Sequence, residues 1–79
     1  MYMVDEEEVF NMYKIVYDVE YIDSYGRRGH VPDYFLGFKT SDPSGDRMAE
    51  KLLMGRMSIE SKNPGVKVLS IKVVSEGYL

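Results

Sequence analysis

The chain contains no cysteine and no tryptophan, and histidine occurs once, at His30. Without cysteine there are no disulfides and no thiolate metal centre. A single histidine cannot build a histidine-rich site. No run of about 18 apolar residues occurs, so no membrane-spanning helix is predicted. No Gly-x-x-x-x-Gly-Lys-Ser/Thr loop is present, and no aromatic-rich RNA-binding strand motif. Domains below about 80 residues often add disulfides, a metal or a second subunit. For these 79 residues only the last remains, which points to a homodimer. The opening MYMVDEEEVF is acidic where a signal peptide would be basic, and the expectation is a soluble, intracellular protein.

The net charge of −3 hides an asymmetry. Residues 1–23 hold seven acids (Asp5, Glu6, Glu7, Glu8, Asp18, Glu20, Asp23) against Lys14 alone, whereas residues 24–79 hold six acids and nine bases. Such a split steers charged partners to one side or pairs internally.

The pattern along the chain is that of one α+β domain over residues 1–79: an acidic segment at 1–11, a β-β-α-β core at 12–74 and a loose tail at 75–79. From Met12 to Ile22 apolar and polar residues alternate with period two, as in a half-buried strand. Tyr34 to Thr40 (YFLGFKT) reads as a second strand, and Gly26, Gly29 and Pro32 place a long hairpin loop between them. Ser41, Asp42 and Pro43 form a helix start, with Asp46 suited to the helix dipole. The helix is expected from about Pro43 to Ser61, with Met48, Ala49, Leu52, Leu53 and Ile59 as its apolar stripe. Gly55 and Arg56 fit badly: glycine costs roughly 1 kcal/mol against alanine in a helix interior, and Arg56 points into the stripe. Either the helix breaks at Gly55 or Arg56 reaches a buried acceptor. After the Asn63-Pro64-Gly65 turn, Val66 to Val74 forms the third strand.

A strand–helix–strand crossover makes the second and third strands parallel. The sheet then has the order 2-1-3, the first strand antiparallel to both neighbours and the helix on one face. Tyr13, Ile15, Tyr17, Val19, Leu36, Phe38, Leu69, Ile71 and Val73 are expected beneath the helix. The uncovered face is expected to hold Val16, Ile22, Phe35, Val66, Val68 and Val74 beside Lys14, Asp18, Glu20, Lys39 and Lys72. Asp18 and Glu20 can bridge to Lys39 and Lys72 there. A contiguous apolar patch instead marks an interface, for a partner or a second copy, and the open edge strands offer the same.

The candidate contact residues cluster around the hairpin. Arg27 and Arg28 offer forked donors beside glycines and could meet phosphates. His30 reads as a loop histidine ordered by Asp33. Tyr25 and Tyr34 flank the loop, and tyrosine with arginine is the composition favoured in interfaces. Tyr25, Arg27, Arg28, His30 and Tyr34 thus form a binding tip, with Asp18, Glu20 and Phe35 on the adjoining face. Met54 and Met57 are further candidate contacts on the helix. Asp18 and Glu20 are paired carboxylates, but on an open sheet beside lysines rather than in a cleft. The run Asp5 to Glu8 reads as a solvated end. DPSGD at 42–46 lacks the ligand spacing and distal glutamate of a calcium loop. No cofactor or metal is implied, and no nucleophile–base arrangement suggests an enzyme.

The β-β-α-β layout of residues 12–74, the acidic front end and the seven tyrosines resemble small bacteriophage-encoded inhibitors, such as the uracil-DNA glycosylase inhibitor of Bacillus phages and anti-CRISPR proteins. The resemblance lies in layout and carries no functional residues across. It implies a non-enzymatic binder that blocks a host protein in the bacterial cytoplasm, sometimes as a dimer, sometimes through acids imitating DNA phosphates. The basic balance of residues 24–79 leaves only the first strand and the N-terminal acids for such mimicry. The function expected is a regulator or inhibitor that occludes a host protein; the alternative is a nucleic-acid-binding module gripping through Arg27 and Arg28.

Overall fold

Tyr13, Ile15, Tyr17 and Val19, alternate residues of one strand, form the centre of the core with Ile59 and Val68. That strand lies between two others, so its inward side chains are covered laterally as well as from above. The computed structural model describes residues 11–40 and 47–79. It contains β1 (Asn11–Ile22), β2 (Arg28–Thr40), α1 (Met48–Lys62) and β3 (Lys67–Tyr78). The sheet order is β2-β1-β3, with β1 antiparallel to both neighbours and α1 against one face. The fold is the α+β, β-β-α-β arrangement expected from the pattern. Among the described residues no helix is long and apolar enough to cross a membrane.

The hairpin is tighter than its glycines and proline suggest. β2 begins at Arg28 rather than Tyr34, so His30, Val31, Pro32 and Asp33 belong to the strand. The turn is closed by Asp23, whose Oδ1 accepts the N–H groups of Tyr25 and Arg27, each at 2.9 Å. Gly26 has φ +82°, a left-handed conformation that glycine adopts without a Cβ penalty. Pro32 is tolerated because β2 is an edge strand and carries one extra residue between the Tyr17–Tyr34 and Val19–Val31 pairs. A bulge on an edge is where a missing N–H does least harm.

β3 departs from the expectation twice. It continues to Tyr78, and the supposedly loose tail pairs with β1 through Tyr13–Tyr78, Ile15–Glu76 and Val16–Ser75. The Tyr78 ring meets Tyr13 edge-on with centroids 5.3 Å apart, which gives the strand end something to pack against. Two register shifts also leave one extra β3 residue each, at Leu69 and at Val74. Each bulge resets the alternation. Val68 therefore turns into the core at 6% exposure, and Leu69 turns out at 46%, the reverse of a strict period-two reading. Val66, also expected on the uncovered face, packs partly against the core.

α1 begins at Met48, with Arg47 extended as its N-cap and the Arg47 N–H donating to Glu50 Oε1 at 3.3 Å. Ser41, Asp42, Pro43 and Asp46 lie outside the described residues, as does the acidic segment up to Phe10. The helix does not break at Gly55. Lys51, Gly55 and Ile59 are its buried residues, with Leu52 packed beside them, while Met48, Leu53, Met57 and Arg56 are exposed. The face against the sheet is thus rotated away from the most apolar one. The cause is the Tyr17 ring. A Cβ at Gly55 would lie 2.7 Å from Tyr17 Cζ and 2.9 Å from Ile71 Cδ1. The glycine lets the ring slide under the helix, where the Tyr17 hydroxyl donates to the Lys51 carbonyl at 2.5 Å. Burial, reinforced by the Glu76 charge, pushes the Tyr17 phenol up to about 12.

Polar contacts fix both ends of the helix to β3. Near its start, the Lys51 ammonium, itself only 8% exposed as a residue, lies 2.7 Å from Glu76 Oε1, which also accepts the Tyr13 hydroxyl at 2.7 Å. Near its end, Glu60 accepts the Val68 N–H at 2.8 Å, and the Asn63 side chain donates to the Ile59 carbonyl at 2.9 Å.

Two outcomes follow for stability. Gly55→Ala raises helix propensity yet drives a methyl into Tyr17, and a net loss of about 1–3 kcal/mol is expected in urea unfolding; a variant as stable as the parent would refute the close approach. The Lys51 hydrogen bond, then that of Tyr13, holds the Glu76 carboxyl below its usual 4.5. The folded state therefore binds this proton less readily than the unfolded chain, and the contribution is present above pH 4.5 and lost as pH falls through the lower folded value. Glu76→Gln should lower stability at pH 7 and flatten the acid limb of the stability–pH curve; an unaltered acid limb would remove Glu76 as its source.

Candidate binding face

Cross-strand register assigns side chains to the side of the sheet away from α1. Partners directly opposite in an antiparallel ladder share a face. The core face runs through Tyr13, Ile15, Tyr17 and Val19, so the other face carries their β1 neighbours and the residues paired with them. It comprises Lys39–Met12, Gly37–Lys14–Gly77, Phe35–Val16–Ser75, Asp18–Lys72, His30–Glu20–Ser70 and Arg28–Ile22–Lys67. Leu69 and Val74, the bulged β3 residues, are exposed beside it.

Five of the sequence-predicted contacts, Asp18, Glu20, Arg28, His30 and Phe35, come together on this face. His30 is ordered by Asp18, not by Asp33: its Nε2 lies 2.5 Å from Asp18 Oδ1. The bulge shifts β2 so that His30 stands opposite Glu20 and one position from Asp18. The bridges expected from Asp18 and Glu20 to Lys39 and Lys72 are not formed, although Lys72 is Asp18's partner in the ladder. A shallow depression lies between Glu20, Arg28, His30 and Leu69 near the hairpin.

The remaining candidates lie elsewhere. Tyr25 sits at the turn, 81% exposed, with the Arg27 guanidinium 5.1 Å from its ring centroid. Arg27 Nε also contacts Asp23 Oδ2 at 3.1 Å. The Arg27 N–H, then the Tyr25 N–H and the Arg27 side chain, lower the Asp23 carboxyl below its usual range. The turn thus occupies its own arginine. Tyr34 does not belong to the tip. It is on the core side, tilted against Tyr17 and hydrogen bonded to the Ser58 hydroxyl at 2.8 Å. Its face follows from plain alternation with Leu36 and Phe38 and from its direct pairing with Tyr17; the bulge, on the hairpin side of Tyr34, decides instead the face of His30. Met57 is exposed and Met54 half-buried.

On the core side an apolar cavity of about 220 Å³ opens between the hairpin end of the sheet and the end of α1, lined by Val19, Tyr21, Val31, Tyr34, Ile59, Asn63 and Val66. Among the described residues no group of three His, Asp or Glu side chains is placed to hold a metal ion.

Residues that sequence reasoning did not single out complete the outer face: Met12, Lys67 and Leu69. Leu69 carried no signal, since strict alternation assigns it to the core. Comparison with known proteins finds no matching family model, no matching curated protein and no matching solved structure.

The turn geometry separates two neighbouring residues by their roles. Asp23→Ala strips the acceptor from two backbone N–H groups and should destabilise the fold measurably. Arg27→Ala removes an exposed ion pair and should cost below about 1 kcal/mol. Equal losses in denaturant titrations would mean that the side-chain pair, not the backbone closure, holds the turn.

Proposed function

We propose that this chain is a non-catalytic protein-binding module that acts by occluding a partner protein, with the face of the sheet away from α1 as its contact surface. The observation that carries this reading is the exposure of four large apolar side chains there: Met12, Leu69, Phe35 at 54% and Val74 at 56%. Apolar groups set among charged ones are the usual make-up of a non-obligate interface. Three strands of about 12 residues present a face of roughly 600 Å², from the strand rise and spacing. An interface built on it would bury about 1,200 Å² in total, at the lower end of stable complexes. The edges suit a partner strand less well. Pro32 and the β2 bulge interrupt one edge and two bulges distort the other.

The resemblance in layout to small phage inhibitors suggests the target class, a host protein blocked by a small domain. The alternative, nucleic-acid binding through Arg27 and Arg28, is weakened by the commitment of Arg27 to Asp23 and Tyr25. It would show as a steep loss of affinity with salt.

The experiment is capture from nuclease-treated bacterial lysate by immobilised protein, comparing the parent with Phe35→Ser and Met12→Ser. Retained circular dichroism with loss of a stoichiometric captured protein is expected. Undiminished capture by both variants would place the contact elsewhere.

A further inference from the structure

The two bulges of β3 do more than extend the strand. The bulge at Leu69 turns that residue out of the core side, and the bulge at Val74 keeps Ser75 outward and sends Glu76 inward, so Leu69 and Val74 stand exposed among Lys67, Lys72 and Ser70. The outward side of β3 is thereby an alternation of cation and apolar group with no carboxylate of its own, since Glu76 lies on the core side, bound by Lys51 and Tyr13. At its far end Gly77 stands opposite Lys14, and a Cβ there would meet nothing within 4 Å. The missing side chain leaves Lys14 open beside the track.

Charge sharpens the picture. Lys14, Lys67, Lys72, Arg28 and Lys39 all lie on this face, and among the described residues none has a carboxylate within ion-pair distance. Of the two facing acids, Asp18 is held by His30. Glu20, opposite Ser70, is the uncommitted one, and Asp33 sits at the β2 bulge on the far edge. Unpaired cations interleaved with aliphatic side chains complement acids interleaved with aliphatic side chains. They suit a polynucleotide poorly. Bases stack on aromatic rings, and β3 offers Leu69 and Val74 instead.

Resting on the module reading above, we infer that the outward track of β3, formed by Lys67, Leu69, Lys72 and Val74 with Lys14 beside Gly77, binds an extended acidic segment of the partner protein. Carboxylates of the segment meet Lys67, Lys72 and Lys14. Its aliphatic side chains meet Leu69 and Val74. Glu20 repels an acid placed over Ser70 and so sets the register. The track lies on the sheet surface, so the bulged edge need not accept a strand.

The test uses the full chain and three probes: a 12-residue peptide repeating Glu-Ser-Val-Ser, its Lys-for-Glu counterpart, and a 20-nucleotide oligo-dT. In an extended peptide the first and third residues of each repeat face the same way, with acids about 13 Å apart. The parent should bind the acidic peptide and not the basic one. Lys67→Glu with Lys72→Glu should weaken that binding about tenfold or more and create binding of the basic peptide. Both positions are exposed, and circular dichroism checks the fold. Equal binding of the acidic peptide by parent and variant would overturn the inference. So would oligo-dT displacing the peptide, which identifies a nucleic acid as occupant, or a dimer in ultracentrifugation that the charge reversal dissociates, which identifies a second copy. Lysate capture separates the two readings. If Lys67→Glu with Lys72→Glu still captures a protein that Phe35→Ser loses, the acidic-segment inference falls alone. If neither substitution affects capture, the module reading falls with it.

Discussion

The contact between the Tyr17 ring and Gly55 organises this fold. Among the described residues Tyr17 is the largest fully buried side chain, in the middle of the central strand. Its ring has to be accommodated beneath a helix, and a helix residue without a Cβ provides the space. Once the ring is seated, its hydroxyl finds the Lys51 carbonyl, and the helix rotation follows. That rotation carries Lys51 inward to Glu76 and leaves Leu53 and Met57 outside. A buried lysine and three exposed large apolar residues, Met48, Leu53 and Met57, on one helix look like errors of patterning. They result from giving one aromatic ring its best fit.

The Lys51–Glu76–Tyr13 cluster explains why the last residues of the chain are ordered. Half-buried charges are costly when unpaired. Glu76 satisfies Lys51 only if β3 continues past Val74 beside β1. Tyr78 then adds ring packing on Tyr13. The bulge at Val74 supplies the shift that lets Glu76 point toward the helix while Lys72 and Ser75 remain outside. The same irregularity therefore serves the core on one side and the candidate binding track on the other.

Much of the architecture was legible in the residues. The alternation of Tyr13, Ile15, Tyr17 and Val19 identified the central strand. The β-β-α-β order with a short turn before the last strand left one simple sheet order. The outward positions of Asp18, Glu20 and Phe35 could be read from parity alone. Tyr34 shares the parity of Leu36 and Phe38, so its core-side place was legible too, and only its position beside the turn obscured it. Leu69 could not be read so: it is itself the bulged residue, and a one-residue insertion flips every later side chain. Pro32 and Gly29 read as loop residues because their edge position, which makes them tolerable in a strand, depends on the whole sheet.

Local chemistry along the chain thus determined the elements, their order and the excess of base after residue 23. Those properties follow from period, turn residues and composition, which neighbours in sequence are enough to set. Tertiary structure decided the helix rotation, the burial of Lys51, the pairing of His30 with Asp18 and the side of the sheet on which Leu69 and Val68 emerge. Each depends on how a large ring, a half-buried charge or a shifted ladder is matched by residues far away in sequence, and the local pattern carries no record of that match.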